Sequence, residues 1–175
     1  MTTERPRTDE ELASLVHEKL KAASNFTPHT LAKSLGVQFG RILAALPEEM
    51  RSFAPGDAAI AIWEAMTEWE KATFIATTPG AIVEISCRLP KGKRSNGMYN
   101  LMDKQYPLGG HLLMGMVDSV CFVSGTVHGM ESHSVQFLDA EGRQCFAVYL
   151  GRNEQREIIP AVREGFFALK AQYSL

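Results

Sequence analysis

The chain has 175 residues, 45% of them hydrophobic, and a formal net charge of −2. That length holds one substantial core, read as a single domain over residues 1–175, and the acidic balance leaves no electrostatic footprint for a duplex phosphate backbone. No apolar run approaches the ~18 residues of a membrane span, and the stretch from Met1 to Glu11 lacks the apolar centre of a secretory signal.

In chain order, Thr8-Asp9-Glu10-Glu11 reads as a capping box with Leu12, Leu15, Val16 and Leu20 as the apolar stripe of a first helix. Thr27-Pro28 starts a short second helix that Gly36 ends, and a third carries Phe39, Ile42, Leu43 and Leu46 up to Pro47. Ile60, Trp63 and Met66 mark a fourth, running towards Trp69. Beyond Trp69 the period falls to 2. Lys71–Thr77 and Ala81–Arg88 flank Pro79-Gly80 as a hairpin. Further strands are expected over Met98–Met102, His111–Met114, Ser119–His128, Ser134–Asp139 and Gln144–Leu150, with turns at Gly129–Ser132 and Ala140–Gly142. A last helix presents Ile159, Val162, Phe166 and Leu169, with Pro160 in its first turn. Residues 1–69 are thus mainly helical and 70–175 hold the sheet and the closing helix. The fold class is α+β with an antiparallel sheet.

Cys87, Cys121 and Cys145 are far apart and form no C-x-x-C; each lies in an apolar, strand-like run and reads as a small buried hydrophobe. A reduced, cytoplasmic setting follows. The segment Leu31–Leu43 has the pattern of a helix-turn-helix, but only Gln38 and Arg41 could read bases, and several phosphate contacts would be needed. A helical hairpin covering a sheet is the better reading. His128 and His133 have the H-x4-H spacing of zinc sites, yet no further ligand is adjacent, and a solvated hairpin end is preferred. Nucleophile elbows, P-loops and dinucleotide fingerprints are absent.

The run from Pro90 to His111 carries the chemistry. Met98, Tyr99 and His111 supply a thioether, a phenol and an imidazole, all able to ligate haem iron. The basic loop before them, Lys91, Lys93 and Arg94, suits two propionates. Trp69 with Thr73, Pro90-Lys-Gly, Gly97–Leu101, Gly110-His111-Leu112, the turn from Gly129 to His133 and Tyr149-Leu-Gly-Arg152 follow one another in the order seen in the ChuX/HutX family of intracellular haem-utilisation proteins, which the chain resembles over most of its length. The resemblance implies a cytoplasmic homodimer of α+β subunits. Each would be similar to half of a HemS/ChuS-type tandem protein, taking haem from a donor and passing it to an acceptor protein. It also implies His111 as iron ligand with Tyr99 as the alternative, Met98 and His128 as further candidates, and Lys93 and Arg94, or else Arg152, at the propionate rim. Two departures stand out: Met98 occupies a position commonly aromatic in the family, and His128 one commonly Met. The rival functions are a haem-degrading oxygenase and a regulatory or nucleic-acid-binding module built on the helical hairpin.

Overall fold

A computed structural model describes residues 8–22 and 27–175. Helix α1 spans Asp9–Ala22, and its capping box forms: Thr8 Oγ1 accepts the Glu11 N–H at 3.1 Å while Glu11 Oε2 accepts the Thr8 N–H at 3.3 Å. Helix α2, Pro28–Leu35, opens on a second box that pairs Thr27 with Thr30 and closes at Gly36, whose φ of 62° is left-handed. Helix α3, Phe39–Ala45, ends before Pro47. Leu12, Val16, Leu31, Leu35, Ile42 and Leu43 from these helices form one core with Cys121, Val123 and Leu138 of the sheet. The hairpin therefore covers a sheet. Arg41, one of its two base-reading candidates, is paired with Asp9 at 2.7 Å.

Strand β1, Arg51–Pro55, falls inside the part expected to be helical. Two prolines close by and a charged start hide its periodicity, and it exists as an edge strand because β7, Ser119–Val127, pairs with it, Phe53 opposite Cys121. After α4, Ala59–Met66, come β2, Ala72–Thr78, and β3, Ala81–Cys87. With β8, Met130–Leu138, and β9, Gln144–Leu150, these build a six-stranded antiparallel sheet ordered β1-β7-β8-β9-β2-β3. The β7–β8 turn is His128-Gly129, both with positive φ (51° and 75°), so the expected Gly129–Ser132 turn is mostly strand.

Strand β7 shows how the layers are made. Val120 and Phe122 enter a core with Trp63, Phe137 and Phe166, whereas Cys121 and Val123 face the α1–α3 core. Burial pushes the Cys121 thiol up to about 12, in keeping with an apolar role. Helix α5, Pro160–Tyr173, lays Val162, Phe166 and Leu169 on the same face as α4. A second sheet of three short strands, β4 (Lys93–Ser95), β5 (Met98–Leu101) and β6 (Gly110–Leu112), completes that side. Among the described residues no helix is long and apolar enough to cross a membrane.

Candidate functional site

The three-stranded sheet is held from behind. Tyr99, Leu101 and Leu112 project into the main core, and Tyr99 is 1% exposed. Its hydroxyl accepts the Gly92 N–H at 2.9 Å and donates to Glu64 Oε1 at 3.2 Å. Burial is the main cause that pushes the Tyr99 phenol above its ordinary range, so it stays protonated at neutral pH. Gly92 lies close against the Tyr99 ring, where a Cβ would sit 2.4 Å from Cε1. Trp63, fully buried, donates from Nε1 to the Pro90 carbonyl at 3.0 Å. The basic loop is therefore fastened to α4 and β5 at both Pro90 and Gly92.

The other face of this sheet looks outward. Register places Lys93 opposite Asn100 and Asn100 opposite His111, one row across three strands. Ser95 pairs with Met98, two residues before Asn100, so Met98 shares this face and is half-buried. His111 is exposed, with Nδ1 2.6 Å from Asn100 Oδ1. The Asn100 amide nitrogen donates to the carbonyls of Lys93 and Ser95, each at 3.1 Å, and of Met98 at 3.3 Å. Just beyond β6, Leu113 and Met116 stand 56% and 58% exposed, and Met102 after β5 is 69% exposed.

Of the residues singled out from the sequence, Lys93, Met98 and His111 thus come together. Tyr99 lies on the reverse, and Arg94, its partner in the β4–β5 ladder, alternates with Lys93. His128 belongs elsewhere: it is exposed in the β7–β8 turn, at the border of a groove of ≈ 1310 Å³ over the open end of the large sheet. That groove is lined by Thr73, Ile75, Glu84 and Tyr149 with α2 as a wall, and neither Lys93, Met98 nor His111 borders it. Arg152 is on the groove too, its guanidinium donating to the carbonyls of Arg156 and Glu131. His133, by contrast with the solvated hairpin end expected, is 6% exposed, bonded to Ser124 Oγ at 2.9 Å and Glu131 Oε1 at 2.6 Å. Among the described residues no cluster of His, Cys, Asp and Glu could hold a metal ion by itself. Sequence reasoning passed over Asn100 and Glu64. A polar Asn amid Met, Tyr and Leu, in a strand where Asn is disfavoured, was the available signal.

A large antiparallel sheet with helices on both faces, and a small sheet with Lys93, Asn100 and His111 in one row, define an α+β subunit. Residues 52–169 match the family profile described as "Haem utilisation ChuX/HutX". The intracellular heme transport protein HutX of Vibrio cholerae is 38% identical over 167 residues, 95% of this chain and 86% of that protein. The chain belongs to the ChuX/HutX family. The solved structure of the heme-binding protein ChuX superposes with a TM-score of 0.80 at 25% identity, covering 90% of this chain and 97% of that one. Holo-PhuS, a heme-binding protein from Pseudomonas aeruginosa, shares the fold at 16% identity and a TM-score of 0.76, with 95% of this chain covering 50% of PhuS. The expected likeness to half of a tandem protein is therefore found.

Proposed function

We propose that this protein binds haem on the outward face of the three-stranded sheet and carries it between partner proteins in the cytoplasm. The observation that carries the reading is the exposed His111 imidazole, held by Asn100 in one row with Lys93. Iron takes an imidazole nitrogen readily. Met98, and Leu113 and Met116 beyond β6, offer apolar surface to a macrocycle, and the Lys93 ammonium suits a propionate. Arg94 and His128 stand as secondary contacts: Arg94 from the adjoining edge strand, His128 only if a partner molecule brings its turn to the ligand. Tyr99 as alternative ligand would have to break two hydrogen bonds and leave the core.

An open face of this kind covers one side of a flat ligand. That geometry supports a homodimer, in which a second copy shields the apolar residues around the site and the exposed β3 edge, where Ile82 is 67% and Val83 47% exposed. Carriage also favours such a site, since a partly open ligand can be handed to an acceptor. The test is a haemin titration of the wild type and His111→Ala. The wild type should give a Soret band that saturates near one equivalent per subunit, and the variant should lose that band or shift it. A non-saturating rise with the wild type would refute haem binding, and an unchanged His111→Ala spectrum would refute the ligand assignment.

A further inference from the structure

We propose that Asn100 is the positioning residue of the site: it fixes His111 as the tautomer protonated on Nδ1, so that Nε2 faces outward with a free lone pair. This rests on the haem reading above and deepens it. The argument is one of donors and acceptors. Three backbone carbonyls, those of Lys93, Ser95 and Met98, surround one end of the Asn100 side chain at 3.1–3.3 Å. Carbonyls only accept, so the group among them is the NH₂. The carboxamide oxygen must then be the atom 2.6 Å from His111 Nδ1. That oxygen also only accepts, so Nδ1 carries the hydrogen. Nε2 has no hydrogen-bond partner among the described residues. The ring is thereby oriented and its metal-binding nitrogen left available, the role that an outer acceptor plays for metal-bound histidines generally.

The same amide joins the basic hairpin to the ligand. Its donors hold the carbonyls of Lys93 and Ser95 on β4, and its acceptor holds His111 on β6. Displacing Asn100 therefore loosens both the imidazole and the strand that bears Lys93.

The test reads the ring first in haem-free protein. Long-range ¹H–¹⁵N spectra of the wild type should show His111 as the Nδ1–H tautomer. Asn100→Ala should move it towards Nε2–H, and Asn100→Asp, which keeps an acceptor for Nδ1, should retain it. A wild-type ring found as Nε2–H overturns the proposal whatever haem does. On haemin titration, Asn100→Ala should lower affinity about tenfold or more, the usual effect of removing an outer acceptor, and weaken the iron–histidine stretch of the ferrous form in resonance Raman spectra. Asn100→Asp should restore most of that vibration even if the hairpin is less stable. Equal affinity and an unchanged stretch in Asn100→Ala also overturn the proposal. If the wild type takes no haem, or His111→Ala binds it as well, the functional reading fails instead, and the tautomer is still decided by the haem-free spectra.

Discussion

Replacing Tyr99 by Phe separates a structural phenol from an iron ligand. The substitution keeps the ring that Gly92 rests on and removes one oxygen that makes two hydrogen bonds, one from the Gly92 N–H and one to Glu64. Gly92 is then left with a half-buried N–H and no acceptor. Leaving a buried donor unsatisfied costs about 1–3 kcal/mol. At about 2–4 °C per kcal/mol for a chain of this size, the melting temperature of the haem-free protein should fall by about 2–12 °C. The pH dependence has a definite sign. The folded phenol titrates above its ordinary value, chiefly through burial, so its stabilising effect is complete below pH ~10 and is lost as pH rises through the folded value. Tyr99→Phe should lose less stability than wild type over that alkaline range. Urea unfolding from pH 8 to 11, with a haemin titration at pH 7, measures all of this. The Soret maximum should stay in place. An unchanged melting temperature together with a lost or displaced Soret band would refute the reasoning, because the phenol would then be at the iron and not in the core.

Other outcomes follow from the same structure. Phe166 is fully buried against Phe122 and His133, so Phe166→Ala should cost about 3–5 kcal/mol in urea unfolding. The His133 and Arg163 hydrogen bonds hold the Glu131 carboxyl below its ordinary range, so the stability it adds is present at neutral pH and lost as pH falls below about 4. Glu131→Gln should accordingly flatten the acid limb of the stability profile. Light scattering at micromolar concentration should give twice the 19.3 kDa chain mass, and a monomer would remove the proposed shielding of the site.

Helices α1, α2, α3 and α5 were legible because each carries its own boundary chemistry, Thr8 with Glu11, Gly36, Pro47 and Pro160, and α4 because of its apolar spacing. So were β2, β3, β5, β7 and β9, whose apolar alternation or continuous apolar runs are local. Strands β1 and β4 were not, since Arg51–Pro55 and Lys93–Ser95 owe their extended form to partners far away or across a turn. For β4 the signal was present in Asn96-Gly97, a two-residue turn with φ of 52° and 73°, yet Lys-Arg-Ser beside it reads as loop. At the candidate site the alternation of Met98 and Tyr99 across β5 could be foreseen, and the structure places them on opposite faces. That Lys93 and His111 share a row with Asn100 between them could not be foreseen, because it depends on β4–β5–β6 register. Nor could the separation of His128, which depends on where the long β7–β8 hairpin ends.

Strand β5 divides its duties by parity. Tyr99 and Leu101 are locked into the core, whereas Met98 and Asn100 face out on the side proposed for the ligand. Large-to-small changes at the inward pair would cost several kcal/mol, on the order of 2–5, but the outward, half-buried Met98 can be exchanged with less effect on folding. A fold arranged this way lets the side chain at position 98 change while the core beneath it stays intact.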